Sequence, residues 1–324
     1  MVRRPALLRF FPNPGSGRTR EGDAPLATET IDAVIRTSEP PRLHPLQRVR
    51  ELARSRQTLG DLVRKEMKVR YKSSILGMAW SMLNPLLYMA VFSLVFGIIL
   101  PNSIPHYPVY ILSGLLAWNL FSTSLNVGAR AVVDNASLVT KVYFPREVLP
   151  LSSVGTALVD GGLQTLVLLL FMLLFRSYHP GLSWLLLPLA VFVLLVFTSA
   201  LCMFVAALNV RYRDTQYLLT IVLLIWFWLT PVVYPSGKLV NKHVFGLSVE
   251  KLFMLNPIAD VVFAFQRIFY GVVQPAGQPK PVLLPLSVGE LAWVLALAAV
   301  VSVALLYLAW LIYFLRSGDF AEEL

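Results

Sequence analysis

Charge is what this sequence has least of. Only 14% of its 324 residues are charged, against 56% hydrophobic, and the mean hydropathy is +0.66. A soluble domain carries about 25% charged residues, so the deficit excludes an ordinary soluble enzyme and indicates a membrane protein. Cysteine is nearly absent: Cys202 stands alone inside an apolar run, which excludes a disulfide within the chain. No GxxxxGK followed by Ser or Thr occurs, which excludes ATP binding through a P-loop. The histidines at 44, 106, 179 and 243 keep no metal-ligand spacing. No acidic pair such as DDxxD marks a metal-diphosphate site. The N-terminal stretch "MVRRPALLRFFPNPGSGRTREG" reaches Pro and Gly after a few apolar residues, so it lacks a secretory core. No residue is read as catalytic, cofactor-binding or metal-ligating.

The charge that is present is clustered. Of 28 Lys and Arg, 16 fall in residues 1–77, against eight Asp and Glu, in a chain of net charge +10. Beside membrane spans, such a patch marks the cytosolic side and contact with anionic lipid rather than nucleic acid. Residues 1–56 are rich in Pro, Arg, Ser and Thr with no sustained period, the composition of a largely disordered cytosolic tail. Residues 57–73 follow as an amphipathic interfacial helix. In "LGDLVRKEMKVRYK", Leu59, Leu62, Val63 and Met67 share one face, with Asp61, Arg64, Lys65, Lys68 and Lys72 on the other. Glu66 and Arg70 intrude on the apolar face, spaced i,i+4 with the acid first, the favourable order for pairing. Two readings stay open: a pair that snorkels to water, or a pair held against protein.

Residues 74–316 hold six apolar segments, at about 73–100, 107–128, 150–175, 184–209, 216–234 and 290–315. Asn84-Pro85 is expected to bend the first. Basic residues favour alternate loops: Arg130, Lys141 and Arg146 in 129–149, then Arg211 and Arg213 in 210–215. These loops and both termini, including the short tail 317–324, are therefore expected in the cytosol. Segment 235–289 falls outside despite its five basic residues, because it is long and proline-broken. Within it, Asn256-Pro257 is a helix start and Gly271 a stop. Ile258, Val261, Val262, Phe265 and Phe269 recur there at helical spacing, so a helix is expected to dip into the outer leaflet or pack on the spans.

Two features carry chemistry. Asp160 is the one acid well inside a span, ~15 Å from its cytosolic end. It reads either as a functional group facing protein or water, or as a packing acceptor beside Gly161 and Gly162. "NASLVTKVYFPREVLPL", residues 135–151, is a short helix broken at Phe144-Pro145. With Lys141 and an exposed Phe144 it reads as a docking surface for a separate ATPase, or as a loop helix capping the bundle.

"VRKEMKVRYKSSILGMAWSMLNPLLYMAVFSLVFG", "GLLAWNLFSTSL", "NASLVTKVYFPREVLPL", "LNVRYRDTQYLL", "LTPVVYP" and "LNPIADVVFAFQRIFYG" follow one another over roughly residues 57–316. In this order they resemble the permeases of ABC-type polysaccharide, O-antigen and teichoic acid exporters. The resemblance implies an all-α membrane protein with six transmembrane helices and both termini cytosolic, in the bacterial cytoplasmic membrane. It implies re-entrant outer helices between spans five and six. The partners would be a second copy of the chain and two ABC ATPase subunits, with ATP-Mg bound on those subunits and no cofactor on this chain. Residues 57–73 resemble the family's gate helix, where Arg64, Lys65, Glu66, Lys68, Arg70 and Lys72 would meet an entering anionic headgroup. Lys141, Tyr143, Phe144, Arg146 and Glu147 match its ATPase-coupling segment. The cargo would be a polyprenyl-diphosphate-linked polymer: O-antigen, teichoic acid, capsule or galactan. Trp80, Tyr88, Trp118, Phe121, Trp226, Trp228 and Tyr234, with Asp160, would line its path by stacking on sugar faces; each aromatic also reads as lipid-facing or interfacial. A membrane-embedded polyprenyl-linked glycosyl or phosphoryl transferase is the alternative, but clustered acids or a nucleotide site are missing. An ion-coupled secondary transporter is another, and it would show internal repeats and more midplane charges than Asp160.

Overall fold

The computed structural model describes residues 45–72, 74–99, 104–142, 144–176, 181–239, 243–244, 247–273 and 281–324. Their regular structure is helical, joined by turns and irregular links, apart from a two-residue antiparallel ladder pairing His243–Val244 with Leu247–Ser248. The helices are α1 (Pro45–Arg54), α2 (Arg56–Tyr71), α3 (Ala79–Leu94), α4 (Tyr107–Arg130), α5 (Ala136–Lys141), α6 (Val148–Leu174), α7 (Leu187–Arg211), α8 (Thr215–Leu229), α9 (Val249–Phe253), α10 (Pro257–Phe269), α11 (Val288–Ser317) and α12 (Phe320–Glu323). A π-helical turn extends α3 to Ile99, and a 3-10 turn from Leu182 leads into α7.

Long uncharged runs become helices because hydrocarbon offers the backbone no partner, so each segment must bond to itself. Ala79–Ile99, Val148–Leu174, Leu182–Arg211 and Val288–Ser317 are long and apolar enough to cross a membrane. α4 has the length, at 24 residues, but is less apolar. α8 is apolar but only 15 residues long. α4 is the centre of the bundle, with α6, α7, α8 and α10 packed around it and α11 running along α7. Val109, Tyr110, Ile111, Ala117, Phe121 and Leu125 on α4 have no exposed surface.

Several expected boundaries move, each for a local reason. α1 occupies Pro45–Arg54, a stretch expected to belong to the disordered tail; residues 1–44 lie outside the described residues. The first span starts at Ala79 rather than near 73, because residues 75–78 turn and Gly77 takes φ 51°, open to glycine at little cost. Pro85 sits buried inside α3. The expected fifth span, 216–234, ends at Leu229: Thr230 precedes Pro231, whose ring forces it extended at φ −108°, ψ 126°. The carbonyls freed beyond Thr230 are then satisfied from the core. Gln266 Nε2 donates to Pro231 O at 3.0 Å, Tyr107 Oη to Val233 O at 3.0 Å, and Tyr110 Oη to Tyr234 O at 2.7 Å.

The helix expected after Asn256-Pro257 is α10. Gly271 stops it at φ 82°, its N–H and that of Tyr270 both reaching Gln266 O. α10 packs on α4, α7 and α11, so it is a buried part of the bundle. Nearby, Gly237 N donates to Val282 O at 2.9 Å, and Leu284 N to Ser236 Oγ at 3.1 Å. The Pro281 carbonyl oxygen occupies the place of a Cβ on Gly237. Gly237→Ala is expected to part these two segments and lose both bonds, at about 1–3 kcal/mol. Gly289→Ala, whose Cβ would meet open space, is the control. Thermal unfolding of the detergent-purified protein checks this; equal midpoints for the two variants would contradict it.

Candidate functional site

α2 lies against α6. Gly155 permits the approach: a Cβ there would stand 2.7 Å from Val63 Cγ2, and a β-branched side chain has little freedom to yield. Leu59, Leu62, Val63 and Met67 are half-buried, whereas Arg64, Lys65, Lys68 and Lys72 are exposed, so the two faces are those expected. The pairing is not. Arg70 turns away from Glu66 and donates from Nη1 to Asp160 Oδ2 at 2.6 Å. Asp160 Oδ1 accepts from Ser81 Oγ at 2.7 Å and from Tyr71 Oη at 3.2 Å, and those two hydroxyls also touch each other. The Asp160 side chain is 9% exposed and that of Arg70 is 25% exposed. A carboxylate so placed is stable only with a counter-charge and further donors. Glu66, on a helix edged by exposed cations, has no such need. The intruding Arg70 and the lone acid of the third span were each visible in the sequence; their 90-residue separation concealed that they answer each other.

Around this knot α2, α3, α4 and α6 enclose a cleft of about 350 Å³. Trp80, 47% exposed, forms one wall. Asn84, Asn119, Thr123 and Gln164 present amides and a hydroxyl, with Asn119 Nδ2 donating to Gln164 Oε1 at 3.1 Å. Sequence reading missed these four; their signal was a run of polar side chains on segments otherwise made of aliphatics. Arg70 is the one cation lining the cleft and Asp160 the one anion, so the site is polar without net charge. It can exchange hydrogen bonds with hydroxyls while offering an aromatic face.

The other path residues fall elsewhere. Trp118 and Phe121 lie in the core, Trp118 5.4 Å from Phe227 and Phe121 5.2 Å from Trp226 between ring centroids. Tyr88 and Trp228 face outward from α3 and α8. Tyr234 is half-buried and donates to Trp228 O at 2.9 Å. Of the expected set, Trp80 and Asp160 line the cleft, while Trp118, Phe121 and Trp226 pack on one another.

The segment after α4 forms a second centre. α5 ends in exposed Lys141 and Val142. Tyr143 lies outside the described residues. Phe144, expected to be exposed, is instead half-buried against a second apolar cluster containing Val139, Leu149, Met203, Tyr313 and Phe320. Arg146 points inward to the end of α11, bonding Ser317 O, and Glu147 is buried at 3% exposure. α2 reaches the same region: Lys65 Nζ donates to Asn135 Oδ1 at 2.6 Å.

A family model described as ABC-2 type transporter matches residues 58–270, which includes most of α2, the cleft and α5. The chain is 38% identical over 278 residues to the O-antigen export system permease protein RfbA of Myxococcus xanthus, covering 85% of this chain and 98% of that protein. It is 29% identical over 211 residues to a Klebsiella pneumoniae protein of the same name, covering 64% and 78%. It is 23% identical over 211 residues to the polysialic acid transport protein KpsM of Escherichia coli, covering 63% and 78%.

Proposed function

This chain belongs to the ABC-2 type transporter family, and from that membership we propose that it carries a lipid-linked polysaccharide from the cytosolic to the outer leaflet. It is a multi-pass membrane protein, the permease of an ABC exporter and not itself an enzyme, and an ABC ATPase is its partner. The observation that carries the cargo reading is the cleft at Asp160. A membrane-embedded cavity lined by amides, hydroxyls and a tryptophan, with its ion pair internally compensated, suits a chain of sugar rings better than an ion or an acyl tail. The names of the relatives, O-antigen and polysialic acid exporters, support the same class. The exposed Arg64, Lys65, Lys68 and Lys72 sit where an anionic lipid headgroup would be gathered at the cytosolic surface. Arg70, spent on Asp160, belongs to the cleft instead. ATP-Mg is bound by the partner and no cofactor by this chain.

The working unit is a pair of permeases with two ATPases. Among the described residues, Tyr88, Val91, Tyr217, Leu218, Ile221 and Trp228 on α3 and α8 are exposed, a face that a second copy or lipid would cover. The chain lies in the cytoplasmic membrane with six spans, α4 and α8 among them, and cytosolic termini. Depleting the protein tests the cargo: a lipid-linked polymer is expected to accumulate on the cytosolic side while its surface form falls. An unchanged lipid-linked pool would exclude the reading. Thiol labelling tests orientation. In a Cys202→Ala background, an impermeant reagent added outside should reach Lys251→Cys and not Thr140→Cys, both at exposed positions. The opposite pattern would invert the arrangement.

A further inference from the structure

The last span ends in a device that the coupling reading does not use. Tyr313, near the end of α11, has no exposed surface, and its hydroxyl donates to the backbone carbonyl of Arg146 at 2.9 Å. Arg146 answers with a hydrogen bond from its guanidinium to Ser317 O. Beyond Ser317 the chain turns at Gly318 and Asp319 into α12, whose Phe320 is 1% exposed and stands edge-on to Tyr313 at 5.2 Å. α12 packs on α5 and on α7. Phe144 and Val139 share the apolar cluster that Phe320 completes.

The turn that leaves α5 is therefore fastened at two points, by backbone continuity to α6 and by side chains to α11. We infer that Tyr313 and Phe320 are positioning residues for energy coupling: they clamp residues 144–147 to α11, so that displacement of α5 moves α11, and α7 packed along it, together with α6. The inference rests on the reading of 135–147 as the ATPase-facing segment. Without the clamp, a push on α5 would be taken up largely by the Phe144-Pro145 turn and would reach α11 less directly. The geometry favours a rigid link, because one bond is to a carbonyl in the turn itself and the ring contact lies in a dry cluster where rotamers are few.

The test uses the full chain copurified with its ATPase, together with surface polymer in cells. Tyr313→Phe removes only the hydroxyl and keeps the ring. It is expected to leave ATPase copurification and hydrolysis intact and to lower export per ATP hydrolysed by about fivefold, the scale of one neutral hydrogen bond. Phe320→Ala opens the cluster and is expected to lower that ratio by more than about tenfold, with Phe320→Leu recovering most of it. A merely structural role would lower the amount of complex and leave export per ATP in the surviving complex unchanged. If Phe320→Ala fails to accumulate, Tyr313→Phe decides. A wild-type ratio in Tyr313→Phe, while Lys141→Glu alone loses ATPase copurification and export, overturns the clamp and leaves the docking reading standing. Wild-type copurification and export in Lys141→Glu as well removes the docking reading too.

Discussion

Arg70→Ala should abolish export or assembly, while Lys68→Ala, two residues back on the exposed face of α2, should do little. The asymmetry follows from where each charge sits. Lys68 is exposed and contributes at most a screened surface attraction, ~0–1 kcal/mol. Arg70 neutralises a carboxylate that is 9% exposed. Removing one partner of a buried pair costs roughly 3–5 kcal/mol, because the other is left uncompensated. Asp160 lies well inside α6 and is the more buried partner, so the orphan is worse on this side. Arg70, at 25% exposure near the end of α2, can withdraw. Asp160→Asn should therefore be milder than Arg70→Ala, and Arg70→Gln combined with Asp160→Asn should recover part of the loss. Membrane abundance, thermal inactivation and surface polymer together measure this. Equal and mild effects of Arg70→Ala and Lys68→Ala would mean that the pair is unimportant.

The second large effect is expected at α5. Lys141→Glu with Phe144→Ala should leave the protein in the membrane yet reduce export to about a tenth of wild type or less, since reversing an exposed docking charge slows association and truncating a packed Phe costs roughly 3–5 kcal/mol where it is fully buried. The two changes act on different things. Lys141 is exposed, so its reversal should weaken ATPase copurification in a manner that salt relieves. Phe144 lies half-buried on the cluster shared with Tyr313 and Phe320, so its loss should slacken the segment without hindering docking. Copurification at low and high salt, measured beside ATP hydrolysis and surface polymer, separates them. Full export by the double variant would remove α5 from the power-transmitting path.

Elements whose cause is local were legible in the sequence. The uncharged runs became helices, Asn256-Pro257 and Gly271 bounded α10, and the apolar stripe of α2 faces protein. What sequence reasoning missed depends on contacts between distant segments. Glu66 and Arg70 satisfied the helical pairing rule, yet an acid buried 90 residues away offered Arg70 a larger gain. Phe144 beside Lys141 looked like a surface group, because nothing local revealed that Tyr313 and Phe320 return to cover it. The aromatics divided in the same way. Trp80 met a cleft and Trp118 met a core, and no spacing along α3 or α4 distinguishes those fates. α8 stopped early at Thr230-Pro231, a signal that was local and was overridden by the apolar run around it.

The modest hydropathy of α4 has a consequence for biogenesis. A segment leaves the translocon for lipid according to its own transfer energy, and α4 carries Ser113, Asn119, Ser122, Thr123, Ser124 and Asn126 within 24 residues. Of the helices that cover it, α3 alone precedes it; α6, α7, α8 and α10 follow it in the chain and are still unmade when α4 emerges. The centre of the finished bundle is thus synthesised before most of its shelter. It is retained by its successors rather than by the bilayer, and a ribosome stalled between α4 and α6 would leave a helix that lipid alone holds poorly.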